Sequence, residues 1–117
     1  MASVSLTIPA KGEYVVLARL ALSAVCRLTP LRPEDVADLK LAITEAAGGV
    51  VGRDPERRVS FDYHVDGDRL VLEITGPGNG GDPEELELGR AIVAATVDER
   101  IESEGRVRLV KYLRPNG

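Results

Sequence analysis

The chain is predicted to fold as an α+β domain, a two-layer sandwich whose mixed, mostly antiparallel sheet carries helices on one face. Three observations point there. Short segments alternate apolar and polar residues, other stretches carry helix-start signals with abundant apolar content, and the order is strand, helix, helix, strand, strand, helix, strand, strand. Strands with polar outward faces need only one covering layer. A length of 117 residues fits one domain, residues 1–117, around a single core.

Val4, Leu6 and Ile8 alternate with Ser3, Ser5 and Thr7, the period-two signature of a half-buried strand, and Pro9 ends it. A helix is expected over 13–28. It is apolar over most of its circumference, with Arg19, Ser23 and Arg27 at four-residue spacing forming one polar stripe. That pattern reads as a core helix with a solvated stripe, or as a helix whose Arg19 grips a partner. Pro33 suits the first position of a second helix, and Glu34 and Asp35 complement its dipole. Val36, Leu39, Ile43, Ala46, Ala47 and Val50 fall on one side of it. Asp38, Leu41, Ala42, Glu45 and Gly49 fall on the other, and the helix fades at Gly48 or Gly49.

After a polar loop, residues 58–65 alternate again, with Val59, Phe61, Tyr63 and Val65 inward and Ser60, Asp62 and His64 outward. Asp66-Gly67-Asp68 turns the chain into a partner strand carrying Leu70, Leu72 and Ile74. The glycine-rich stretch Gly76 to Gly81 follows. Asp82 is placed to cap a third helix, with Pro83 at its first position and Glu85 closing a capping box, running to about Val97. Residues 100–103 and 106–113 form a last hairpin around Glu104-Gly105.

Composition narrows the function classes. Apolar residues make up 44%, too many for a disordered chain, yet there is one Phe and no Trp, so aromatic surface for stacking bases is scarce. A net charge of −4 argues against nucleic acid as a partner. Cys26 and His64 stand alone in their residue types, which disfavours a transition-metal site. The apolar run 14–28 is short and broken by Arg19, Ser23 and Arg27, so no membrane span is expected. The opening residues lack a signal-peptide pattern, and the expected location is cytoplasmic.

Several pieces in order resemble one family almost end to end. They are Ile8-Pro9-Ala10 with Glu13-Tyr14, Asp38-Leu39-Lys40-Leu41-Ala42 leading into Glu45-Ala46, the glycine stretch after Leu72-Glu73-Ile74, and Val110-Lys111-Tyr112-Leu113. The chain resembles the anti-sigma-factor serine/threonine kinases of the GHKL, or histidine-kinase-like, ATPase superfamily. The resemblance implies that fold, and a helix carrying a Glu that acts as general base with an Asn four residues later that holds Mg²⁺ on ATP. Here Glu45 takes the first position and Gly49 the second, and glycine has no side-chain oxygen to offer.

The family's next motif is Asp-x-Gly-x-Gly, whose Asp accepts the adenine amino group. Placing Gly78 and Gly80 on its glycines puts Gly76 at the Asp position. A longer lid is reduced to the segment before Gly89, which holds Asp82, Glu84, Glu85 and Glu87, charges that repel a triphosphate. Metal ligand, base anchor and lid are thus altered together. The expectation is a regulatory protein with a degenerate nucleotide site that binds a sigma factor, an anti-anti-sigma (STAS) protein or both, as a possible homodimer. The resemblance places Arg19 at a first-helix arginine that contacts partners, and ATP with Mg²⁺ is expected only if the altered site still works. The alternative is an active kinase in which Glu45 deprotonates a partner serine.

A further pattern, Gly76, Gly78 and Gly81 as Gly-x-Gly-x-x-Gly, marks dinucleotide sites but is weak alone. Hairpin-linked strands before it argue instead for a tight turn into the third helix.

Overall fold

The structure, a computed structural model, describes residues 2–52, 54–78 and 82–113. Along the chain they form β1 (Ala2–Pro9), a 3₁₀ turn (Gly12–Tyr14), α1 (Val15–Cys26), α2 (Pro33–Gly48), β2 (Arg58–Asp66), β3 (Arg69–Thr75), α3 (Pro83–Thr96), β4 (Glu99–Ser103) and β5 (Arg106–Tyr112). The strands make one sheet in the order β1-β2-β3-β5-β4. Every pairing is antiparallel, which narrows the expected mixed sheet to a purely antiparallel one.

Register turns the alternation in each sequence into two faces. Leu6, Phe61, Ile74 and Val107 align across the sheet, and so do Val4, Tyr63, Leu72 and Leu109. Apart from Val4, which stays exposed on the edge strand, these rows meet Ala18, Leu22 and Val25 of α1 and Leu39, Ile43 and Ala47 of α2 in one core. The opposite face carries Ser5, Asp62, Glu73 and Arg108 in one row and Thr7, Ser60, Thr75 and Arg106 in the next. Arg106 reaches Glu73 at 2.8 Å, and Ser5 donates to Asp62 at 2.6 Å. Solvent screens such exposed pairs, so they add little to stability.

Two helices depart from the expected pattern. Ala42 is fully buried, so α2 turns it toward the core and leaves Leu41 outside. α1 begins only at Val15, after the 3₁₀ turn, and ends at Cys26. It buries Val15, Ala18, Leu22, Val25 and Cys26 in the core but is not covered over its whole apolar circumference. Val16, Leu17 and Leu20 are exposed on it, with Leu28 exposed just beyond, and both Leu20 and Leu28 keep 63% of their surface. Arg19, read as part of the polar stripe, instead leans on α2 and donates to Thr44 Oγ1 at 3.3 Å.

The buried hydroxyl of Tyr63 donates to the Ala18 carbonyl at 2.8 Å and pins α1 over β2. Burial, reinforced by Asp62, pushes that phenol above its usual pKa, so it stays a donor. The Cys26 thiol, buried at the end of α1, is pushed up to about 11 by desolvation and is inert.

Glycines stitch the connection after β3 in place. Gly76 N–H donates to Gly105 O at 2.8 Å, and Gly78 N–H donates to Val50 O at 3.2 Å. A Cβ on Gly76 would stand 2.5 Å from the Val50 carbonyl oxygen, and one on Gly78, at φ +83°, would stand 2.8 Å from Gly105. Asp82 caps α3 by accepting from Glu84 N–H at 3.0 Å, and no reciprocal bond from Glu85 occurs among the described residues.

Gly76→Ala is expected to lower the unfolding free energy by about 2–3 kcal/mol through overpacking. Gly48→Ala, which meets nothing within 4 Å, should raise it by about 0.5–1 kcal/mol through helix propensity. Urea denaturation of both variants checks the contrast, and a harmless Gly76→Ala would contradict the packing. Tyr63→Phe should cost about 1 kcal/mol in the same assay, the net value of one buried hydrogen bond.

Candidate functional site

The helical repeat puts Glu45 and Gly49 of α2 on one side, one turn apart, and that side faces α3. Each meets a complementary residue there. A Cβ on Gly89 would lie 3.2 Å from Glu45 Oε1, so the Glu45 side chain is laid against the bare backbone of Gly89. A Cβ on Gly49 would lie 3.2 Å from Leu86 Cδ2, so Leu86 reaches toward the space that a side chain at 49 would need. The two helices interlock through these glycines, with a side chain from each seated on a glycine of the other.

Beyond the interlock, α2, α3 and the β4–β5 hairpin enclose an open cavity of about 460 Å³. Ala46, Val50, Val93 and Val107 supply its apolar lining, and Arg90, Arg100, Glu102 and Glu104 supply charge. Arg90 is already engaged. Its Nε and Nη2 donate to Glu102 at 3.1 and 2.9 Å, and the hydrogen bond to Glu102 raises its guanidinium above the usual value. Arg100 donates to the Arg90 carbonyl at 3.2 Å, tying β4 to α3. Glu45 is half-buried and makes no hydrogen bond or ion pair among the described residues, with Lys40 or with any arginine.

The structure therefore gathers Glu45, Gly49 and Gly78 on one cavity. Gly76 sits behind it, wedged against Val50, and Gly80 lies outside the described residues. Arg19 belongs to a different surface. It bonds Thr44, the residue before Glu45, from the outer side of α2. The Gly-x-Gly-x-x-Gly reading fails on topology and on donors: the adjoining strands are antiparallel, and the N–H groups of Gly76 and Gly78 are spent on Gly105 and Val50.

Magnesium-bound ATP does not fit these positions as the family motifs would hold it. Residue 49 has no ligand atom and Leu86 leans over it, and no side chain is accommodated at residue 76. Sequence reasoning missed Leu86, Gly89 and the Arg90–Glu102 clamp. Leu86, Gly89 and Arg90 signalled themselves only by spacing along a helix whose docking direction was unknown, and Glu102 lies on a separate strand.

Comparison with known proteins places this geometry. A family model described as a histidine kinase-like ATPase domain matches residues 8–106. Similar relatives include proteins named serine-protein kinase RsbW. That of Bacillus pumilus is 35% identical over 107 residues, covering 85% of this chain and 66% of the relative. That of Listeria innocua is 32% identical over 85 residues, covering 69% and 54%. The chain thus spans roughly half to two thirds of the length of these relatives. Among solved structures, the crystal structure of the RsbU and RsbW domains of Rv1364c from Mycobacterium tuberculosis superposes with a TM-score of 0.70 at 19% identity, over 98% of this chain and 34% of that one, a likeness of fold. With its sheet order, its α2–α3 groove and a family match over most of its length, the chain belongs to the histidine kinase-like ATPase domain family.

Proposed function

We propose that the chain is an anti-sigma-factor-like regulatory protein that acts by binding a sigma factor, an anti-anti-sigma (STAS) protein or both, in the cytoplasm and as a homodimer. The observation that carries this reading is the outer surface of α1 and α2, where Val16, Leu20 and Leu41 are exposed on the side of Arg19. Large apolar side chains gathered on the solvent side of a small domain mark a protein contact. The arginine among them is one of the residue types enriched at the energetic centres of such contacts. Its hydrogen bond to Thr44 holds the guanidinium in place before any partner arrives.

In the same reading the groove runs no kinase cycle. Support comes from Gly49 beneath Leu86, from Gly76 against Val50 and from the acidic start of α3 at Glu84 and Glu85. One observation favours the kinase alternative: Glu45 is uncommitted and lines the cavity. On the binding reading, release of one partner depends on competition by another.

Calorimetric titration with ATP, with and without Mg²⁺, separates the two. The expected result is no heat and no thermal shift. Micromolar binding would restore the kinase reading, and loss of partner phosphorylation in Glu45→Ala would then establish it. Pull-down with candidate sigma and STAS proteins should show capture by the wild type. Arg19→Ala should weaken that capture by about 2 kcal/mol, roughly thirtyfold, and Leu20→Asp should abolish it. Capture indifferent to both substitutions would move the contact elsewhere.

A further inference from the structure

The glycine interlock draws α2 and α3 together at Glu45 and Gly49 but does not fill the space behind them. Of the fourteen residues of α3 only Gly89 and Val93 are buried, so that helix touches the core along one narrow line. The cavity of about 460 Å³ left between α2, α3 and the β4–β5 hairpin is of the size that holds a small molecule. Val50, Val93 and Val107 give it a buried apolar wall.

The polar groups of the wall fall into two kinds. Its donors are committed: Arg90 to Glu102, Arg100 to the Arg90 carbonyl, and Gly78 N–H to Val50 O. The start of α3 is capped by Asp82 and followed by Glu84 and Glu85, so its dipole already faces negative charge. An anion would meet a neutralised guanidinium and an acidic helix start. Glu45 is the reverse case, a half-buried carboxylate in the wall with no hydrogen bond or ion pair among the described residues. Glu102 and Glu104 bring the carboxylates around the cavity to three, against two guanidiniums. A carboxylate partly withdrawn from water and lacking a counter-charge attracts a cation more strongly than a solvated one does. No group of three His, Cys, Asp or Glu side chains able to hold a metal ion occurs among the described residues, which points to an organic cation.

We infer that this cavity is a binding site for a small organic cation, a protonated amine on an apolar body, with Glu45 as its counter-ion. The body lies against Val50, Val93 and Val107, and the ammonium group meets the carboxylate. Gly89 contributes by having no side chain: a Cβ there would crowd Glu45 Oε1 at 3.2 Å, so glycine lets the carboxylate rest on α3 at the cavity wall. Walls on three sides suit a free small molecule better than a side chain presented by a bulky protein. Such a ligand is opposite in charge to the nucleotide that the family motifs would hold. The inference goes beyond the proposed function and uses neither Arg19 nor the outer surface of α1.

Calorimetric titration of the full chain with three probes of one skeleton tests the site: phenylbutylamine, phenylbutanol and phenylbutanoic acid. The amine is expected to bind at about 1 mM or tighter, the range open to so few atoms. The alcohol and the acid should bind about tenfold more weakly or worse. Glu45→Gln should bring the amine down to the level of the alcohol and leave the alcohol where it was, a pattern that misfolding would not give. On isotope-labelled wild type the amine should shift the amide signals of Gly49, Gly78 and Gly89, which line the cavity, and leave Gly67 in the β2–β3 turn unmoved. That map needs no variant. No binding of the amine, an acid bound as well as the amine, an amine preference that survives Glu45→Gln, or shifts centred away from those glycines would each overturn the site. Displacement of the amine by micromolar ATP, or tighter binding of a capped Gly-Lys-Gly peptide, would also overturn it, returning the groove to a nucleotide or to a protein side chain. Pull-down of the sigma and STAS candidates keeps the two proposals separable. Partner capture without amine binding removes only this site, and amine binding without capture removes only the proposed function.

Discussion

The carbonyl of Val50 is the point on which the groove-bearing half of the molecule depends. It follows the last turn of α2, accepts from Gly78 N–H, and abuts Gly76 so closely that only a hydrogen fits between. Gly76 in turn donates to Gly105, which brings the β4–β5 turn to the same place. Helix end, loop and hairpin therefore meet backbone to backbone. Such contact leaves less freedom than packed side chains, because no rotamer can relax it. α3 packs beside this anchor, where Leu86 meets Gly49 and Gly89 meets Glu45 to close the groove that α3 shares with α2.

Within the groove, the consequence is an arrangement that favours helix packing over ligand contact. Glycines at 49 and 89 bring α2 and α3 together, and Leu86 and Glu45 seat on them. The arginine best placed to meet an anion, Arg90, is neutralised by Glu102. On the far side of α2 the balance differs. Thr44 accepts from Arg19 and donates to the Lys40 carbonyl at 2.8 Å, so the arginine is held by a hydroxyl that is itself held. One helix thus carries two unlike surfaces on adjacent residues, Thr44 and Glu45.

What the sequence made legible was whatever depends on local period. Val59, Phe61 and Tyr63 on β2 alternate, and the structure buries all three. Asp82 and Pro83 marked the start of α3, and Pro33 marked that of α2. Illegible parts were those set by docking. The wheel of α1 is apolar nearly all round, so nothing local said which apolar side would meet the sheet and which would stay in solvent. Ala42 was misplaced for the same reason: a small residue fits either side of α2 until a neighbour is known. At the site, Glu45 and Gly49 were found by their spacing. Leu86 and Gly89 were not, because their relation to α2 is tertiary.

The Gly49–Leu86 and Gly76–Val50 contacts also shape how this chain can evolve. An amide at residue 49 needs room that Leu86 now takes, and a carboxylate at residue 76 needs room that the Val50 backbone now takes. Each change alone spends stability before it gains any chemistry, and a small domain has little stability to spare. A side chain at residue 76 therefore needs a compensating shift of the Val50 backbone, whereas one at residue 49 needs only the Leu86 side chain to yield by a few tenths of an ångström. Packing thus sets the order in which substitutions at this groove can be accepted, because backbone contact at residue 76 leaves no give and side-chain contact at residue 49 leaves some.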